Sequence, residues 1–139
     1  MPKSIHQTRI LVFGTFDVLH SGHLNFFRQA RHLARRPFLI VSVAKSVNVR
    51  RIKGRRPRHS ERSRLAAVRR VKIVNQAVLA AAEDYLGHIV KLNPEIIGLG
   101  YDQTAYTKGL VKRLRQKGLK VKIARLRPYQ PQKYKSSLL

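Results

Sequence analysis

The chain has 139 residues, no cysteine, and thirty lysines and arginines against six aspartates and glutamates, a formal charge of +24 at pH 7. That length suits one domain with a real core, a hydrophobic content of 43% argues against disorder of the whole chain, and the missing thiols exclude a disulfide framework and cysteine-ligated zinc. No apolar run approaches the roughly 18 residues of a membrane helix, and the opening MPKSIHQTR lacks the apolar core of a signal peptide, so a cytoplasmic protein with no membrane partner is expected.

Apolar runs without period-two alternation occur at residues 10–13, 38–43, 77–80, 96–99 and, more weakly, 121–126. Such runs fit strands covered on both faces, as in a parallel sheet. Segments of helical period lie between them: Leu24, Phe27, Ala30 and Ala34; then Leu65, Val68 and Val71; then Leu86, Ile89 and Val90; then Leu110 and Leu114. Ser60 fits an N-cap, Gly118 a C-cap, and Pro94 opens a strand after Asn93. The order βαβαβαβαβ predicts an α/β fold, a single Rossmann-like doubly wound domain with a five-stranded parallel sheet. In such a domain the ligand site lies beyond the carboxyl ends of the strands. Residues 1–8 read as a basic extension, 9–127 as the domain, and 128–139, PYQPQKYKSSLL, as a tail closing over the site. Residues 45–58, KSVNVRRIKGRRPR, read as a basic loop at the same edge.

The stretch GTFDVLHSGH, residues 14–23, fills the first strand-to-helix crossover. A helix amino terminus offers unpaired N–H groups and a partial positive charge, both suited to a phosphate. His20 and His23, one turn apart there, can donate to one anion; the plainer reading is a glycine turn with two solvent-facing histidines. Zinc would need a third ligand, and Asp17 is the only close candidate. No GxxxxGK[ST], GxGxxG or nucleophile-elbow pattern is present.

As a whole, GTFDVLHSGH closely resembles the GTFDxxHxGH signature of the small cytidylyltransferases and adenylyltransferases of the HxGH nucleotidyltransferase superfamily. KGRRP at residues 53–57 is similar to that family's KGRKP loop, ERSRLAAV to its arginine-bearing helix, GYDQ at 100–103 to its fourth-strand signature, and RLRPYQPQKYKSS to its closing tail. The resemblance implies transfer of a nucleoside monophosphate from a triphosphate to a phosphate monoester, releasing pyrophosphate, with Mg2+ or another divalent cation accompanying the nucleotide and no confident protein-side metal ligand. It implies catalytic roles for His20, His23 and Lys53. It places Gly14, Thr15, Phe16, Ser21, Gly22, Arg64, Gly100, Asp102, Tyr129, Ser136 and Ser137 around the nucleotide, with Gly14 allowing close backbone approach and Ser21 and Gly22 presenting N–H groups. A dianionic acceptor phosphate needs no strong general base, so the chemistry rests on positioning and charge stabilisation.

Within that family the GYDQ segment and the tail most resemble archaeal-type FAD synthases, which join ATP to FMN; glycerol-3-phosphate and sugar-phosphate cytidylyltransferases, using CTP, share the first motif. Family members are often homodimers. Two departures stand out: Lys45 and Ser46 replace a frequent Arg-Asp pair, and Asn75 replaces a usual aspartate. A rival from another class is a nucleic-acid-binding protein on the same fold, motivated by RRIKGRRPRHSERSR and KRLRQKGLKVKIARLR. Few aromatics interleave these cations, which argues against platforms for stacked single-stranded bases.

Overall fold

A computed structural model describes residues 6–101, 103 and 109–128, with only the backbone described at 51–53. The elements are β1 (Thr8–Gly14), α1 (Ser21–Arg31), β2 (Pro37–Val43), α2 (Ser46–Lys53), α3 (Glu61–Arg69), β3 (Gln76–Leu79), α4 (Tyr85–Leu92), β4 (Ile96–Leu99), α5 (Leu110–Gln116) and β5 (Lys122–Arg125). All four strand pairings are parallel, in the order β3-β2-β1-β4-β5. The predicted five-stranded parallel sheet is therefore present.

The continuous apolar runs are explained by burial on both faces. On one side Ile10, Val12, Leu39, Val41 and Ala77 meet Phe27 and Ala30 of α1 and Val68 of α3. On the other, Leu11, Ile40, Ile97 and Leu99 meet Ile89 and Leu92 of α4 and Leu110 and Leu114 of α5. A strand with alternate residues in two separate cores cannot alternate apolar with polar. Chain order reverses between β1 and β4, so the crevice beyond the carboxyl ends of these two neighbours is the switch point at which doubly wound sheets bind ligands.

Residues 45–58 are not all loop, as the sequence suggested: they contain α2. Its N-cap, Lys45, supplies no side-chain cap; instead Glu61 Oε1 accepts the Ser46 N–H at 2.9 Å. Ala34 and Val71, included in the helical periodicities, lie beyond the ends of α1 and α3, in turns packed on the core. Asn75 Oδ1 accepts from the Leu39 N–H at 2.8 Å and from Arg31 Nη1 at 2.7 Å, fastening the approach to β3 onto β2 and the end of α1. A neutral amide oxygen thus serves at the position where the resemblance implies an aspartate.

Helix α4 ends at Asn93, whose φ of 53° lies in the left-handed region while its N–H closes onto the Ile89 and Val90 carbonyls. Asn93→Ala should destabilise the protein by about 1 kcal/mol and Asn93→Gly by much less, because only the former places an unsuitable Cβ in that conformation. Urea denaturation of the two variants measures the difference.

Candidate active site

Gly14 ends β1, and the chain turns at once into the switch-point crevice. A Cβ at Gly14 would lie 2.4 Å from Phe16 Cζ, so only glycine leaves room for that ring. Phe16 is held at φ 53°, left-handed and unusual for an aromatic residue, and is 5% exposed. Its ring packs edge-on to His23 (5.4 Å between centroids) and against Phe27 (5.3 Å). The close approach expected of the nucleotide at Gly14 is thus made by Phe16 itself, and the Phe16 ring is core. Burial offsets the strain of its backbone.

Helix α1 starts with an unusual cap built from the two histidines. His20 is the N-cap, and its Nδ1 accepts from the Gly22 N–H at 3.0 Å; in return the His20 N–H donates to His23 Nδ1 at 3.3 Å. The rings stack with centroids 4.0 Å apart. Because both Nδ1 atoms accept backbone protons, the neutral tautomer carries its proton on Nε2 in each ring. Burial first, and then the neighbouring His20, push the His23 pKa down to about 4, against a hydrogen bond to the Val18 backbone that raises it. His23 is therefore neutral at physiological pH and acts as a dipolar donor rather than a cation. The Gly22 N–H, expected to face phosphate, is occupied by His20 in this state.

Arg64 was expected at the phosphates. The structure places it below the turn instead, 1% exposed. Its Nη1 donates to the Thr15 carbonyl (2.8 Å) and the Ala44 carbonyl (2.7 Å), its Nε to the His59 carbonyl (3.2 Å), and its Nη2 to Ser46 Oγ (3.1 Å). Burial lowers its pKa, opposed by the Asp17 and Glu61 carboxylates, yet a guanidinium stays charged under any physiological condition. One side chain so ties together the segments that follow β1 and β2 and the start of α3.

Asp17, weighed from the sequence only as a zinc ligand, has a different task. Its carboxylate accepts the Arg58 and His59 N–H groups at 2.6 and 2.7 Å and lies 3.1 Å from His59 Nδ1. Partial burial raises its pKa, but these donors outweigh that and leave it below the ordinary aspartate value. Among the described residues no three His, Asp or Glu side chains are grouped to hold a metal. A second unexpected residue is Gln103, whose Nε2 donates to the Phe13 carbonyl (2.8 Å) while its Oε1 accepts the Gly100 N–H (2.7 Å), closing the end of β4 against β1. Gly100 is further fixed by Arg125 Nη1 on its carbonyl at 2.9 Å.

The structure therefore brings together Gly14, Thr15, Phe16, His20, Ser21, Gly22, His23 and Gly100 at the switch point, with Arg64 beneath them. Lys53 ends α2 beside this edge, its side chain outside the described residues, as are Asp102, Tyr129, Ser136 and Ser137. A hollow of about 430 Å³ lies next to Asp17's partners, lined by residues of α2 and of the loop through Arg56, Arg58 and Ser60. No signal in the sequence could single out Arg64 as buried or Gln103 as a bridge, since each depends on carbonyls far away along the chain.

A parallel doubly wound sheet carrying an HxGH helix cap at its switch point defines a nucleotidyltransferase-type domain. A family model described as cytidylyltransferase-like matches residues 11–139, and the chain belongs to that family. It is similar to an FAD synthase of Archaeoglobus profundus, 37% identical over 131 residues that make up 94% of this chain and 82% of the relative. An FAD synthase of Methanosarcina mazei is 40% identical over 119 residues, 86% of this chain and 76% of the relative. Among solved structures, one titled as a lipopolysaccharide core biosynthesis protein from Thermoplasma volcanium superposes with a TM-score of 0.83 at 33% identity, covering 90% of this chain and 100% of that one.

Two outcomes are expected. Arg64→Ala should cost about 3 kcal/mol or more, because it opens a cavity and strips donors from the Thr15, Ala44 and His59 carbonyls; Arg64→Lys, lacking the guanidinium fork, should recover only part of this in denaturant titrations. The folded protein resists protonation at His23, so the unfolded chain takes up that proton first as pH falls. The stability His23 contributes is present above about pH 6.5 and is lost progressively towards pH 4. His23→Gln should flatten that part of the curve of unfolding free energy against pH, and the His23 ring in wild-type protein should titrate by NMR near 4.

Proposed function

We propose that this member of the family is an FAD synthase, transferring AMP from ATP to FMN and releasing pyrophosphate. The reciprocal histidine cap at the switch point carries the catalytic part of the reading, and the FAD synthases that align with nearly the whole chain supply the acceptor. A phosphate oxygen of FMN attacks the α-phosphorus in line; the new O–P bond forms as the bond to the bridging oxygen of the β-phosphate breaks, and both electrons of that bond leave with pyrophosphate. The acceptor, with a second pKa of about 6, is already largely dianionic, so no carboxylate base is required.

His20 and His23 are the groups proposed to meet the triphosphate. As the negative charge shifts across the α- and β-phosphates, the Nε2–H groups, whose tautomer is fixed by the backbone contacts to Nδ1, are proposed to stabilise it, the His23 ring exchanging its hydrogen bond to the Val18 backbone for one to phosphate. The neutral state of His23 preserves the Nδ1 acceptor on which the cap depends, a function an imidazolium cannot perform. Lys53, Asp102, Tyr129, Ser136 and Ser137 are proposed to complete the nucleotide site from α2, from the end of β4 and from the tail. The Arg64 role is positioning: it holds the Thr15 and Ala44 carbonyls and the segment leading into α3 in one arrangement.

Magnesium is proposed to arrive with ATP. It takes oxygen ligands in a near-octahedral arrangement and often keeps several waters, and Asp17, the carboxylate of the GTFDVLH turn, is already committed to Arg58 and His59. Triphosphate oxygens and water are its proposed ligands, and its contribution when bound is to neutralise phosphate charge. Three large apolar side chains stand exposed on segments that follow β1, β2 and β4: Val18 (50%), Val47 (52%) and Tyr101 (53%). Exposed apolar area at this one edge favours an acceptor with a flat ring system, as FMN has, over glycerol 3-phosphate.

The purified protein should form FAD and pyrophosphate from MgATP and FMN. Product obtained only with CTP and glycerol 3-phosphate would replace the flavin assignment with the cytidylyltransferase one. His23→Ala should lower turnover by about a hundredfold or more with the fold retained by circular dichroism, as expected when a transition-state donor is removed.

A further inference from the structure

The cations cluster at a place that nucleotide transfer does not use. Helices α1 and α3 run back from the active-site edge on the same face of the sheet, and both end at the opposite edge. There Arg31 Nη1 donates to the Ile73 carbonyl and Asn75 Oδ1, and the Thr8 N–H to the Arg36 carbonyl. These contacts bring the 32–36 turn, the 70–75 turn and the start of β1 into one surface. Arg28, His32, Arg35, Arg36, Arg70 and Lys72 are all exposed on it. A hollow of about 440 Å³ opens beside Gln7 within it, walled by Arg31, Arg35 and Arg36.

The carboxylates are distributed in the opposite sense. Of those described, Asp17, Glu61, Glu83 and Asp84 stand on segments that follow strands, at the active-site edge. Glu95, before β4, lies at the basic edge, and it is paired with His6 at 2.6 Å. Among the described residues the ion pairs are His6–Glu95 and His59–Asp17, so no arginine or lysine of the cluster has a carboxylate partner. Helix dipoles account for cations in a last turn, such as Arg28 and Arg31. They do not account for Arg35, Arg36 and Lys72, which lie in turns beyond the helices and repel one another.

We propose that this surface, the part of the edge where α1 and α3 end, binds the phosphate backbone of duplex nucleic acid, independently of the nucleotidyl transfer at the other edge and of the cations at the end of α5. Arginine predominates, and its planar fork suits phosphate oxygens. The large exposed apolar side chains Val18, Val47 and Tyr101 belong to the active-site edge, leaving no anchor here for a lipid surface. Among the described residues the cluster exposes no phenylalanine, tyrosine or tryptophan ring to stack unpaired bases, so the contact is with the backbone and indifferent to sequence.

The test compares two variants of equal charge. One carries Arg35→Gln, Arg36→Gln, Arg70→Gln and Lys72→Gln; the other carries Lys112→Gln, Arg115→Gln, Lys117→Gln and Lys120→Gln on and after α5. Affinity for short RNA and DNA duplexes is read by fluorescence anisotropy between about 50 and 200 mM salt. The first variant should bind more than about tenfold more weakly, with its logarithmic salt slope reduced by about 3 to 4, while the second should change by less than about threefold. FAD formation should persist in the first variant; should that variant melt early, Arg35→Gln with Arg36→Gln alone must show about half the change in slope. Equal losses in both variants, absence of duplex binding by the parent protein near 150 mM salt, or tighter binding to phosphatidylserine vesicles than to either duplex would overturn the proposal. A parent protein that forms no FAD would overturn the catalytic reading alone, since duplex binding is read separately.

Discussion

The Arg64 guanidinium is the interaction on which the active-site edge depends. It is a charge placed out of water with no direct carboxylate partner, compensated by three carbonyls and a hydroxyl from separate segments. Such a group is tolerated only while every acceptor stays in place, because desolvating a cation costs far more than one neutral hydrogen bond returns. The requirement works in both directions: the loops fix the arginine, and the arginine forbids them to drift. Asp17 and Glu61 add charge of the right sign nearby while spending their own oxygens on the N–H groups of Arg58, His59 and Ser46. The turn after β1, the start of α2 and the start of α3 therefore behave as one unit.

On that unit the two histidines combine roles usually given to different residues. A serine or aspartate would cap α1 as well, but neither offers a second, directed N–H at the far side of a ring. An imidazole capping through Nδ1 has its remaining proton at Nε2, so the bond that starts the helix also fixes which atom can donate. The two rings stack on each other and His23 rests against Phe16, which is why burial keeps His23 neutral. The strained backbone of Phe16 and the absent side chain of Gly14 follow from the same packing, since the ring must fold back over the end of β1 to support His23.

The sheet was legible in the sequence because its signal is carried within each segment: unbroken apolar runs for strands with two covered faces, and a period near 3.6 for the helices between them. Ser60 as an N-cap and Gly118, left-handed just past the end of α5, could be read for the same reason, as local chemistry. Helix α2 could not. Its cap comes from Glu61, fifteen residues onward, and KSVNVRRIK offers little apolar spacing beside its charges. The active-site motif was recognisable as a string, yet the tasks of its members were not. Phe16 and Arg64 look like ligand contacts when the chain is extended and prove to be buried supports once Thr15, Ala44 and His59 converge. With thirty cations in the chain, nothing local distinguishes buried Arg64 from the described arginines that meet solvent.

The scarcity of acids has a structural consequence that links the two edges. Four of the five described carboxylates are spent on backbone N–H groups or histidines: Asp17 on Arg58 and His59, Glu61 on Ser46, Asp84 on Gly87, Glu95 on His6. Apart from Glu95, these acids stand where helices and loops begin, which in a doubly wound sheet is the edge where the strands end. The opposite edge collects helix carboxyl termini, whose dipoles favour cations and reject acids. An α/β chain with few acids is thus polarised by its own topology, its basic edge set apart from the site that handles nucleotides. Neutralising that edge with a polyanion removes repulsion between Arg35, Arg36, Arg70 and Lys72 without disturbing Arg64 or the histidine cap, so the two ends can serve separate ligands.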